Sequence, residues 1–65
     1  MILTIRDIGR EFLTRNNRVM RVVDFDKDVG YPVNCLDTDN RSWCYTVTGL
    51  RVVDAKCGMD LIQSL

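Results

Sequence analysis

Thr14-Arg15-Asn16-Asn17-Arg18, Asp37-Thr38-Asp39-Asn40-Arg41 and Thr48-Gly49-Leu50-Arg51 divide the chain into short runs of apolar and β-branched residues. Asn, Asp and Gly tolerate the left-handed backbone that tight reversals need, so each cluster reads as a hairpin tip between strands. Working outward from the first cluster, Glu11 to Thr14 and Arg18 to Phe25 form one hairpin. A two-residue turn at Asn16-Asn17 would set Leu13 opposite Met20; a three-residue loop with Asn17 left-handed sets Phe12 there instead. The second register is preferred because it gathers Phe12, Met20 and Val22 on one face. Around the second cluster, Val33 to Leu36 and Ser42 to Val47 pair, and period two puts Trp43, Tyr45 and Val47 on the expected core face.

Ile2 to Ile5 reads as a strand or the start of a helical turn running to Gly9. The polar segment from Asp24 to Gly30 reads as a loop, with Pro32 at a strand edge or first position, where its missing N–H costs least. Leu50 to Val53 is expected as a further strand and Asp60-Leu61-Ile62 as a closing element. The fold expected is all-β, one domain over residues 1–65: a small antiparallel curled sheet, or an SH3-like, partly open barrel of five to six short strands.

At 65 residues, 46% hydrophobic and 28% charged, the chain has the composition of a folded domain with a core too small for much margin. Such a core yields roughly 3 to 5 kcal/mol without added staples, so a homo-oligomer is expected. The formal charge is zero, but its layout is uneven. Arg6, Arg10, Arg15, Arg18 and Arg21 outweigh Asp7 and Glu11 in the first third, and seven aspartates outweigh four cations in the rest. The balance argues against a nucleic-acid binder, since counterion release needs many cations. The apolar start Met1 to Ile5 is broken at once by Arg6 and Asp7, so a cytoplasmic protein without membrane association is expected.

No motif supplies catalysis. Asp24-x-Asp26-x-Asp28-x-Gly30 resembles the beginning of a calcium loop, but Val29 stands where the glycine belongs and Cys35 where the closing Glu belongs. Cys35, Cys44 and Cys57 are odd in number, and with no His in the chain they lack both a fourth zinc ligand and a base to make a thiolate. They are expected to be reduced and metal-free, with Cys35 and Cys44 nearly opposite on the second hairpin. Asp37 and Asp39, on a hairpin tip, are expected to be exposed and unperturbed. The chain is read as no enzyme, with no cofactor.

The best binding set is Arg15, Arg18 and Arg21 with Trp43 and Tyr45. Guanidinium forks hold phosphates while aromatic faces stack on bases, which suits a nucleotide or single-stranded nucleic acid. The plainer reading is a solvated arginine face above a core Trp.

Thr14-Arg15-Asn16-Asn17-Arg18 with Arg21-Val22, then Tyr31-Pro32-Val33, Tyr45-Thr46-Val47-Thr48-Gly49 and Asp60-Leu61-Ile62, resembles small phage- and prophage-encoded all-β accessory proteins built on T-R-D-G-x-x-V-R-I, Y-P-I, Y-T-x-D-G-R and D-L-I. The chain departs at Asn17, in place of the turn glycine, and at Leu50, which separates Gly49 from Arg51. The resemblance implies a non-enzymatic phage protein in the host cytoplasm that neutralises a host component in an anti-defence role. Two routes are open: sequestering a nucleotide signal, or capping a host protein. The resemblance carries over no catalytic residue.

Overall fold

The computed structural model describes residues 1–26, 29–52 and 56–65. Among the described residues, five strands, β1 (Glu11–Thr14), β2 (Val19–Phe25), β3 (Val33–Leu36), β4 (Ser42–Tyr45) and β5 (Leu61–Ser64), follow a single 3-10 turn at Ile5–Asp7. They form one open sheet in the order β4-β3-β2-β1-β5, and every neighbouring pair is antiparallel. The all-β expectation holds, with five strands and no closed barrel. β4 and β5 stand at the two ends with no ladder between them, and the Leu61 N–H donates instead to Gly49 O in the turn after β4 (2.9 Å).

Both hairpin registers follow from turn chemistry. Phe12 faces Met20, and Asn17 takes φ 66°, so the three-residue loop is the one formed. In the second hairpin Leu36 faces Ser42 and Asn40 takes φ 62°. The second arm stops at Tyr45, two residues short of the expected end, because Thr46 opens a turn of its own. That turn also removes the expected strand from Leu50 to Val53: Leu50 and Arg51 are not in a strand, Val52 makes a single bridge, and Val53 lies outside the described residues. The acidic loop lies partly outside them too, at Asp28. Pro32 precedes β3, and its carbonyl accepts the Asp26 N–H (2.7 Å).

Period two sorts the sheet into faces. The inner one buries Phe12, Met20, Val22, Val33, Cys35, Tyr45 and Leu61, and Leu3 from the amino-terminal segment completes this core. Burying each large apolar side chain contributes roughly 1.5 to 3 kcal/mol against an exposed reference. Leu3 is held by its own N–H on Val47 O (2.7 Å), just before the 3-10 turn, which is capped reciprocally by Thr4 and Asp7. The outer face carries Glu11, Leu13, Val19, Arg21, Asn34, Leu36, Ser42 and Cys44. Val23 is an extra residue in β2, between the Val22–Cys35 and Asp24–Asn34 pairs, and a second register shift occurs between β1 and β5 at Leu13/Thr14.

Candidate binding surface

Three turns share one hydrogen-bond plan. In each, the first residue's N–H donates to the fifth residue's carbonyl: Thr14 to Arg18 (2.7 Å), Asp37 to Arg41 (3.1 Å) and Thr46 to Leu50 (2.9 Å). The fourth residue, Asn17, Asn40 or Gly49, is left-handed and donates back to the first residue's carbonyl. The first residue's side-chain oxygen then accepts the fifth residue's N–H, at 2.9 Å for Thr14 and Asp37 and 3.0 Å for Thr46. The side chain thus satisfies a backbone donor that the bulge leaves out of the ladder. Thr14, Asp37 and Thr46 are buried polar residues for this reason, and no buried side-chain polar atom among the described residues lacks a partner.

Asp37 departs from the exposed, unperturbed group expected of it. Its carboxylate accepts N–H bonds from Arg41 (2.9 Å) and Asp39 (2.8 Å) and the indole Nε1–H of Trp43 (3.0 Å). The Arg41 backbone bond, then the Trp43 bond, hold its carboxyl below the ordinary value of 3.8. Asp39 stays exposed at the tip.

Asp60 is the second buried carboxylate. It accepts the N–H of Arg51 and of Cys57 (both 2.9 Å), and the Arg15 guanidinium approaches to 3.5 Å. Burial works to raise its pKa, but the two backbone bonds, the Arg15 bond and the Arg15 charge together leave it below 3.8. Arg15 also donates from Nε to Cys57 O (3.3 Å). It therefore bridges the first turn and the segment before β5 through Nε and one terminal nitrogen of its fork.

The five residues of the expected binding set separate into two places. Trp43 and Tyr45 lie together on the inner face. Tyr45 is wholly buried with its hydroxyl donating to Met59 O (2.8 Å), and burial raises its pKa. Trp43 is half-buried against the core. The cation over them is Arg51, whose Cζ lies 5.1 Å from the Trp43 ring centroid and 5.8 Å from that of Tyr45. Arg51 also donates from Nη1 to Cys44 O (2.6 Å). Arg18 and Arg21 lie elsewhere: Arg18 is exposed at the first turn, and Arg21 stands on the outer face. The single surface expected from arginines and aromatics is thus not assembled, because Arg21 alternates with Met20 and Val22 and must face away from the core.

What the structure does assemble is an end and a cleft. β1 and β3 run the same way, so the turns 14–18 and 37–41 share one end of the sheet, beside the segment 57–60. Beneath them an outer-face cleft of about 250 Å³ is lined by Glu11, Val19, Arg21, Leu36, Asp37, Thr38 and Asn40. Neither Arg18 nor Arg21 has a side-chain hydrogen bond or ion pair among the described residues; the ion pairs there are Arg10–Asp7 (3.3 Å) and Arg15–Asp60 (3.5 Å).

The cysteines are scattered. Cys35 faces Trp43 and is buried, whereas Cys44 faces Asn34 on the opposite side of the sheet and is exposed, so the two are not cross-strand partners. Burial, then the neighbouring Cys44, pushes the Cys35 thiol up to about 12. Among the described residues no group of three or more His, Cys, Asp or Glu is placed to hold a metal, and no helix is long and apolar enough to cross a membrane. Compared with protein-family models, with curated proteins and with solved structures, the chain matches none.

Proposed function

We propose that the chain is a non-enzymatic binding protein of the phage accessory type, which neutralises a host component by capping a host protein with the turn-bearing end of its sheet. The observation that carries this reading is the contrast between cations at that end. Arg15 is engaged by Asp60 and Cys57 O, while Arg18, exposed at the tip, has no side-chain hydrogen bond or ion pair among the described residues. The resemblance to phage accessory proteins supplies the host as the partner's source and an anti-defence role as the purpose. A non-catalytic role is supported by the shifted groups, which move away from neutrality: Asp37 and Asp60 down, Cys35 and Tyr45 up.

Nucleotide sequestration is the second reading, favoured by Arg21, Thr38 and Asn40 lining one cleft. Size weighs against it. Small-molecule sites run from roughly 300 to 1,000 Å³, above the 250 Å³ here, and the Trp43 face that would stack on a base already carries Arg51.

Pull-down of host proteins on immobilised wild-type chain and on Arg18→Glu, with calorimetry against cyclic and linear nucleotides, separates the two. A host protein retained by the wild type and lost with Arg18→Glu is the expected result. Nucleotide binding without a stable host complex would reject capping.

A further inference from the structure

The outer face of the sheet is self-complementary about a twofold axis. Glu11 and Arg21 are directly opposed across β1 and β2, yet they flank the cleft without closing on each other, and neither has an ion-pair partner among the described residues. Their row continues on both sides with leucine. The Leu65 N–H donates to Glu11 O (3.0 Å), setting Leu65 beside Glu11, and Leu36 faces Arg21 on β3. Across the sheet the row reads Leu65, Glu11, Arg21, Leu36. The next row toward the turns reads Gln63, Leu13, Val19 and then Thr38, which shares the cleft wall with Val19. One row is apolar at its ends and oppositely charged in its middle, and the other is polar at its ends and apolar in its middle.

A twofold axis lying over this face, parallel to the strands and midway between β1 and β2, reverses each row onto itself. Glu11 then meets Arg21 of a second copy and Arg21 meets its Glu11. Leu13 meets Val19, and Leu36, at the cleft, meets Leu65. A closed isologous contact requires this kind of patch, in which each group finds its complement on an identical surface. Aligned face-to-face packing is the ordinary arrangement for two sheets. The contact would cover Leu65, which is 60% exposed, together with the half-buried Leu13, Val19 and Leu36.

We infer that the chain forms a twofold homodimer through the outer face of β1 and β2, with Glu11 and Arg21 exchanging ion pairs between copies. An axis parallel to the strands keeps the strand direction, so both turn-bearing ends fall on the same side of the dimer.

Sedimentation of the wild type and of two charge reversals, Glu11→Arg and Arg21→Glu, tests this, with circular dichroism to confirm folding. The wild type is expected to sediment as a dimer at micromolar concentration. Each reversal alone sets like charges against each other twice and is expected to weaken association about tenfold or more. Mixing the two reversed chains makes both contacts complementary again and is expected to restore a dimer containing one of each. A repair of the cross-strand pair within one chain cannot produce that rescue. Sedimentation of the wild type at the mass of one chain, unweakened dimers of the single variants, or a mixture that stays monomeric would each overturn the inference. The loss of host-protein capture in Arg18→Glu would be unaffected by any of these, so the two readings fail separately.

Discussion

The Trp43 indole Nε1–H donates to Asp37 Oδ2 across 3.0 Å, joining the half-buried aromatic of β4 to the carboxylate that organises the turn before it. The same carboxylate holds two backbone donors of that turn, so its ionised form maintains both the turn and the ring position.

Acid should therefore loosen this molecule at a defined place. Asp37 and Asp60 both have folded-state pKa values below 3.8. The stability they contribute is full above the unfolded carboxylate value and is lost as pH falls through the folded one. Urea midpoints followed by Trp43 fluorescence should stay level from neutrality to about pH 5 and fall below about pH 4. Asp37→Asn should lower the neutral midpoint and flatten the acid decline; an unchanged acid slope would remove Asp37 from this account.

Arg51 stacks on two rings and occupies a carbonyl at the outer edge of β4. Arg51→Ala should cost about 1 to 2 kcal/mol, the scale of a partly desolvated cation–π contact. Arg51→Lys should fall between, since it keeps the charge and loses the planar fork. Because the Cys44 carbonyl would be freed at a sheet edge, Arg51→Ala should also aggregate more readily on heating. Equal urea stability of all three chains would refute the stacking role.

The left-handed positions are not equivalent. Gly49 has φ 85°, and a Cβ there would lie 3.1 Å from Leu61 O and 3.2 Å from Leu61 Cβ. Gly49→Ala should destabilise by about 1 to 3 kcal/mol, combining backbone strain with that clash. Asn17→Gly and Asn40→Gly remove a Cβ from the same conformation and should change stability by less than about 1 kcal/mol. Denaturant unfolding of the three variants gives the ranking directly.

Thiol labelling should follow burial. Cys44 is exposed, Cys57 is intermediate, and Cys35 is buried with its thiol raised to about 12. At mildly alkaline pH, Cys44 should react first and Cys35 only as fast as the protein opens. Rapid modification of Cys35 under native conditions would contradict its place in the core.

Local chemistry made the first two hairpins legible, since Thr14 to Arg18 and Asp37 to Arg41 each carry an Asn at the left-handed step. In the sequence the third turn reads two residues late, at Thr48, because Tyr45-Thr46-Val47 alternates like a strand, and the cap role of Thr46 shows only once Gly49 is recognised as the fourth residue of the same five-residue plan. Arg51 escaped notice for a related reason: Leu50 takes the closing position of the turn and carries Arg51 past it, back over Trp43. Asp60 gave no local signal, because its partners Arg15, Arg51 and Cys57 come from separate segments that meet only when β5 docks. The charge asymmetry drew attention to the arginines, but alternation along β2 sent Arg21 to the opposite face from the rings.

Each of the three five-residue turns closes its own hydrogen bonds, so the β1–β4 meander, apart from the segment between β2 and β3, can zip from short-range contacts. β5 cannot. Its place beside β1 brings Leu61 to Thr14 and Ser64 to Phe12 across most of the chain, and the entropy of that closure is lost before any contact there repays it. β5 is thus expected to be among the last elements on and the first off. When it leaves, Asp60 releases Arg15 and Arg51 together, and the bared edge of β1 becomes the template on which a neighbouring chain can misassemble.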